Sequence, residues 1–269
     1  MRTILFLFLL ALSMPVVAQV FMRPVDNAAA LALGGAVVAY PGIGSGLEND
    51  AVPGFANKAA VFAGAAMPFG ISGWQTARFQ GFARMSPRDG FGLDIAHAGI
   101  EVYSEQQFRL LYGRRLGEKI MLGGSVSILR VSAQEYGNTT GATFSLSMLA
   151  NPLKGLWLGA KIQNPLDLEL AGAVLPAVLR IGAAWQPAPV LTLLLETEKD
   201  LERPAQLKAG IEYLPVDQLV LRTGIRTDPA RFGFGAGYRL KNGLEIGSGA
   251  EWHPTLGFTP SAMLIWRKN

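Results

Sequence analysis

Arg231-Phe232-Gly233-Phe234-Gly235-Ala236-Gly237-Tyr238-Arg239-Leu240, then Lys241-Asn242-Gly243, then Leu244-Glu245-Ile246-Gly247-Ser248-Gly249-Ala250-Glu251-Trp252 run consecutively near the end of the chain. Phe232, Phe234, Ala236, Tyr238 and Leu240 form one apolar set, and Gly233, Gly235, Gly237 and Arg239 the set between them. Leu244, Ile246, Ala250 and Trp252 likewise alternate with Glu245, Gly247, Gly249 and Glu251. Period two over so many residues is the signature of a β-strand, and the Lys-Asn-Gly break between the segments is a turn. One face is large and apolar while the other is glycine or charge. That division matches a wall between lipid and a polar lumen.

The same pattern extends back through the chain. Leu207, Ala209, Ile211 and Tyr213 alternate with Lys208, Gly210 and Glu212. Ile120, Leu122, Val126 and Ile128 alternate with Met121, Gly123, Ser125 and Ser127. Breaks such as Pro87-Arg88-Asp89-Gly90 and Gln186-Pro187-Ala188-Pro189 separate the segments. About fourteen strands result: 58–69, 73–86, 91–104, 106–116, 120–135, 141–151, 155–163, 177–186, 189–200, 205–214, 218–227, 231–240, 243–252 and 256–267. Most have the length that a tilted membrane strand needs, and bacterial barrels have even counts. The alternation changes character near Ala98-Gly99 and near Arg130, which predicts β-bulges there. Trp185, Trp252, Trp266, Tyr213 and Tyr238 fall at strand ends, as an interfacial girdle requires. The expected fold is all-β: an antiparallel transmembrane β-barrel of about 14 strands. A soluble sandwich or lipocalin-like barrel is the alternative.

Composition supports the membrane reading. The 269 residues are 50% hydrophobic and only 16% charged, with mean hydropathy +0.27. Soluble domains average about 25% charged residues. Disorder needs the opposite composition. A net charge of +4 is too small to mark a nucleic-acid surface, and the absence of cysteine rules out disulfides and thiolate chemistry.

Residues 1–18 read as a secretory signal peptide. Arg2 is the charged start, Ile4 to Leu12 the apolar stretch, and Val16-Val17-Ala18 the cleavage site. Residues 19–57 lack alternation and are expected to form an N-terminal plug, with the barrel following over 58–269. Leu31, Leu33, Gly34, Gly35, Ala36 and Asn57 are the plug residues singled out. Small residues permit close backbone packing in a lumen too wide for wall side chains to fill.

The expected lumen-lining residues are Arg78, Arg84, Arg109, Arg115, Lys161, Arg180, Glu196, Glu198, Lys208, Glu212, Arg222, Arg226, Glu245 and Glu251. Their mixed signs suggest ion pairs that hold the plug, whereas a ring of one sign would suggest ion selection. No catalytic, cofactor or metal set emerges. Gly233 to Gly237 resembles a nucleotide loop only superficially, because a strand and not a helix follows. Glu196 and Glu198 share a face as an acid–base pair would, but paired lumen charges are the ordinary reading. His253 lies in a Trp-His-Pro turn, and His97 is expected at the lumen or a rim. Between strands seven and eight, Leu166, Leu168, Leu170, Val174 and Leu175 make an apolar loop suited to a partner or ligand, or to folding over the barrel mouth.

Ala30-Leu31-Ala32-Leu33-Gly34-Gly35-Ala36 and Asn57-Lys58-Ala59 resemble the opening of PorV/PorQ-type outer-membrane barrels, within the long-chain fatty acid transporter (FadL-like) superfamily. The family's Asn-Pro-Ala has Lys58 in place of proline here. Gly210-Ile211-Glu212-Tyr213, Leu221-Arg222-Thr223-Gly224, Phe232 to Tyr238 and His253-Pro254-Thr255-Leu256-Gly257 follow the family's order. The resemblance covers about a third of the chain. It implies a non-enzymatic accessory or scaffold barrel of a type IX-like secretion system, whose partners would be a larger secretion barrel or secreted cargo. The wider superfamily implies the alternative, a passive transporter of hydrophobic molecules such as long-chain fatty acids. Outer-membrane lipid is a partner in both, and nucleic acid in neither.

Overall fold

In a computed structural model, the structure describes residues 27–41, 48–55, 58–170 and 172–268. The expected signal peptide and Asn57 lie outside the described residues. Fourteen strands form a closed antiparallel barrel. They are β1 (Ala59–Ala66), β2 (Gln75–Arg84), β3 (Asp89–Ile100), β4 (Tyr103–Arg115), β5 (Ile120–Ala133), β6 (Gly137–Leu153) and β7 (Leu156–Gln163). A small separate hairpin follows, β8 (Glu169–Leu170) with β9 (Ala173–Val174). The wall resumes with β10 (Val178–Ala188), β11 (Leu191–Asp200), β12 (Gln206–Val216), β13 (Leu219–Arg226), β14 (Arg231–Arg239), β15 (Leu244–His253) and β16 (Gly257–Lys268). β16 pairs with β1 from Ala59–Lys268 to Ala66–Ser261, so the described wall has no free edge. Closure satisfies the ladder hydrogen bonds internally, as a lipid environment demands.

The alternation resolves as expected. Phe232, Phe234, Tyr238, Ile246, Leu195 and Leu207 are exposed on the outer face, while Glu245, Glu196 and Lys208 are buried inside. Trp185, Tyr213, Tyr238 and Trp266 are exposed near strand ends on the side where β1 starts and β16 ends, the terminus side of the wall, and Trp252 lies towards the opposite end.

The bulge positions differ from expectation. Pairing runs unbroken through Ala98-Gly99 and through Arg130. Register shifts occur instead at Ala150/Leu153, Trp185/Ala188 and Tyr213/Val216, all at the terminus-side rim. The apparent slip at Arg130 is one of composition. Leu129 and Val131 turn inward against Leu170 and Leu175, so apolar residues occupy the lumen side there while Arg130 faces out.

Inside the barrel sits the N-terminal plug. α1 (Ala28–Ala32) opens on Asn27, whose Oδ1 accepts from the amides of Ala29 (2.9 Å) and Ala30 (3.2 Å). Gly34 and Gly35 end it at positive φ, and the Gly35 amide donates to the Ala30 carbonyl at 2.7 Å. Residues 28–40 are buried throughout.

Candidate functional site

Wall glycines make room for the plug. A Cβ added at Gly224 or Gly210 would fall within 3.0 Å of Leu33, one at Gly233 against Leu31 and Ala32, and one at Gly159 against Val38. On the other side, Gly113 and Gly123 meet Ala51 and Asp50 in the same way. The plug therefore has two arms: residues 27–41 lie mainly along β10 to β16, and residues 48–55 along β2 to β6.

Charge holds both arms. Glu196 accepts the consecutive amides of Val37 (2.7 Å) and Val38 (2.8 Å), which would otherwise be buried without partners. The Tyr40 hydroxyl donates to Glu212 at 2.7 Å. Burial and the Glu212 carboxylate push that hydroxyl well above its ordinary range, so it remains a donor. On the second arm, Asp50 meets Lys161 (3.1 Å) and Arg109 (3.3 Å) and accepts from Ser147 (3.1 Å) and Ser145. Burial alone would raise its pKa, but Lys161, Arg109 and the Ser145 hydroxyl hold it below the ordinary value. Glu48 pairs with Arg78 (2.8 Å) and Arg180 (3.3 Å). Burial again opposes ionisation there, yet Arg78, Arg180, Lys161 and Arg109 together lower it to about 2. Asn49 ties the arms together, its Nδ2 donating to the carbonyls of Val38 (2.8 Å) and Met148 (3.0 Å).

All fourteen expected lumen residues lie on the inward parity of their strands. Arg180 pairs with Glu198 at 2.5 Å, and Lys208 bridges Glu196 (3.2 Å) and Glu198 (2.7 Å). Arg222 links Glu212 and Glu245, each at 2.8 Å, and Arg226 meets Glu251 at 2.6 Å. Arg115 lies over the ring of Phe55, 5.6 Å from its centroid, and Arg84 is half-buried at the terminus-side mouth. Sequence reasoning missed Glu48 and Asp50, although Glu48-Asn49-Asp50 is a polar run within a segment meant to fill an arginine-lined lumen. It also missed Asp94, which is fully buried between Arg78 (2.7 Å) and Arg109 (2.5 Å). His97 takes the outward parity of β3. His253 serves its turn, with Nδ1 accepting from the amides of Thr255 and Leu256, both at 3.1 Å.

Above the plug, at the end opposite the start of β1 and the end of β16, lies a cavity of about 450 Å³. Leu31 forms part of its floor. Its lining mixes the apolar Pro68, Phe69, Trp74, Ile100, Pro176 and Val178 with the charged Glu105, Glu198, Asp200, Arg203, Arg226, Arg231 and Glu251, and Arg231 lies over the Phe69 ring, 5.8 Å from its centroid. The β7–β10 loop closes over the neighbouring part of the mouth. Leu170 and Leu175 are buried on Leu129 and Val131, while Leu166 and Leu168 are exposed. Asn164 clamps this loop, donating to the carbonyls of Leu168 (3.3 Å) and Leu175 (3.0 Å). The side chain of Val174 lies outside the described residues.

No family model matches the sequence, and no curated protein sequence matches it. Solved structures share the fold. A deltaS2S3 mutant of the TodX monoaromatic hydrocarbon channel aligns with TM-score 0.72 at 13% identity, covering 90% of this chain and 98% of the other. The Ralstonia pickettii toluene transporter TbuX gives 0.71 at 12% identity, with 93% and 100% covered. A Pseudomonas aeruginosa FadL homologue gives 0.68 at 13%, with 92% and 99% covered. The chain thus shares the barrel fold of these solved structures over nearly its whole length.

Proposed function

We propose that the protein is a passive, non-enzymatic channel of the bacterial outer membrane, exported with a cleaved signal peptide, that admits hydrophobic small molecules from the outside. The observation that carries this reading is the 450 Å³ cavity under the outer loops, with Leu31 of the plug at its floor and with Phe69, Trp74, Ile100 and Val178 among its charged lining groups. Pockets of a few hundred Å³ with apolar walls and a few polar groups suit small ligands. Two of the fold neighbours, a monoaromatic hydrocarbon channel and a toluene transporter, support the same class. They favour it over the secretion-scaffold reading that the PorV/PorQ-type resemblance implies. Entry then has two stages: capture beside Phe69, Trp74 and Ile100, followed by displacement of a plug arm.

The test is uptake of radiolabelled toluene and of a radiolabelled long-chain fatty acid by cells expressing the protein in a host deleted for its own transporter of this class. Uptake above the empty-vector control, reduced severalfold by Phe69→Asp, is the expected result. No uptake of either compound, together with stoichiometric co-purification of a larger barrel after gentle extraction, would return the scaffold reading.

A further inference from the structure

The rim at which β1 starts and β16 ends has a charge pattern the lumen does not use. Following the strand order, exposed bases stand at Lys241 in the β14–β15 turn, at Lys268 and Lys58 on the closing seam, and at Arg88 and Arg114 beside the β2–β3 turn. Lys119 and Lys154 extend the series through the β4–β5 and β6–β7 turns. Among the described residues, the rest of the rim has no exposed base. Its turns read Gln186-Pro187-Ala188-Pro189-Val190 and Pro215-Val216-Asp217-Gln218. The described bases thus run along an arc of the rim from β14 round to β7, and the gap in them falls on β10 to β13. Of the acids along it, Asp89 is engaged by the Tyr112 hydroxyl (2.6 Å) and by Arg114 (3.5 Å), and Glu118 is exposed.

Depth says what the arc meets. Arg114 follows Tyr112, and Lys268 follows Trp266, by two residues on the outward parity. Each base is therefore about 7 Å further along its strand, and about 5 Å nearer the rim once strand tilt is allowed for, than an exposed aromatic ring. Tyrosine and tryptophan on a lipid-facing wall settle at the headgroup boundary, which places the two bases among the phosphates. A soluble acidic protein approaching the rim end-on would have no use for bases on the lipid-facing side.

We infer that this arc binds anionic phospholipid headgroups of the periplasmic leaflet, so that the barrel carries acidic lipid along its rim from β14 round to β7 and none along β10 to β13. The inference is independent of what passes through the lumen. Attraction to an anionic surface is worth about fivefold per basic residue.

The experiment equilibrates the purified barrel with equal phosphatidylglycerol and phosphatidylcholine of matched chains, and counts retained lipids by native mass spectrometry. Wild type should retain phosphatidylglycerol preferentially. The triple variant Arg88→Gln, Arg114→Gln, Lys268→Gln should reduce that preference at least tenfold while remaining heat-modifiable on gels. The control pair Arg130→Gln, Lys199→Gln at the opposite rim should leave it unchanged. If the triple variant fails to fold, wild type at about 1 M salt, where screening shortens to ~3 Å, should show the same loss. Equal retention of both lipids by wild type, salt-independent retention, or equal loss in the control pair overturns the inference. So does a co-purifying acidic protein released by the triple variant while lipid preference stays intact.

Discussion

Asp50 is the residue at which the plug is most sensitive to disturbance. Its carboxylate is fully buried and neutralises Lys161 and Arg109, which are themselves buried on β7 and β4. Removing one partner of a buried ion pair leaves an uncompensated charge and typically costs about 3–5 kcal/mol. Asp50→Ala should therefore undock the second plug arm, read as rapid protease cleavage between residues 48 and 55 in a barrel that stays heat-modifiable. Asp50→Ala combined with Lys161→Met should recover part of the loss, and additive damage would disprove the pairing. Glu48 adds a pH dependence whose sign is fixed. Its pKa falls from an ordinary 4.5 to about 2 on docking, so its contribution is complete above about pH 4.5 and disappears as the pH falls through about 2. Plug protection should thus be flat from pH 7 to 5 and decline steadily between 4.5 and 2. Glu48→Gln should make that decline shallower, leaving the part that belongs to Asp50, whose pKa is also lowered on docking.

The wall strands were legible because each one is held between two uniform environments, lipid outside and a polar lumen inside. Leu207 to Tyr213 and Phe232 to Leu240 had to alternate wherever they sat in the barrel. The plug was legible only as a segment without alternation. Its glycines could be named, but its partners depend on which strands lie across the lumen, and no local pattern carries that. Asp94 was hidden for a related reason: only one acid in β3 turns inward, and the supposed slip at Ala98-Gly99 blurred the parity that would have shown it. The β7–β10 loop illustrates the same limit, because its leucines are equally apolar in sequence and separate only in packing. Leu170 is buried on Leu129 and Val131, whereas Leu166 is exposed. Leu170→Asp should unseat the loop and open it to limited proteolysis, since a buried carboxylate there finds no compensating cation in that cluster. Leu166→Asp should be silent in the same digest. Equal cleavage in the two variants would mean that the loop is not held at the mouth by this contact.

At the scale of the whole molecule, wall and plug are stabilised by different means, and this makes them separable. The wall closes on itself through continuous ladders from β1 to β16, whereas the plug is held by glycine-cleared backbone contacts and by carboxylates set against lumen arginines and lysines. Deleting residues 27–55 should therefore leave an assembled barrel. Its lumen would not be neutral. Arg78, Arg109, Lys161 and Arg180 would lose Glu48 and Asp50, while Arg84 and Arg115 already stand inward at the terminus-side mouth. Inward bases then outnumber inward carboxylates by a wider margin than in the intact protein, and a lumen lined by excess positive charge favours anions. In planar bilayers under a potassium chloride gradient, the intact protein should conduct little. The deletion variant should form steady pores whose reversal potential has the sign of chloride preference. Cation preference would mean that the lumen arginines re-pair or fold away once the plug is gone. Strong conductance by the intact protein would mean that the plug does not block the axis, and that the cavity beneath the outer loops leads through rather than ending on Leu31.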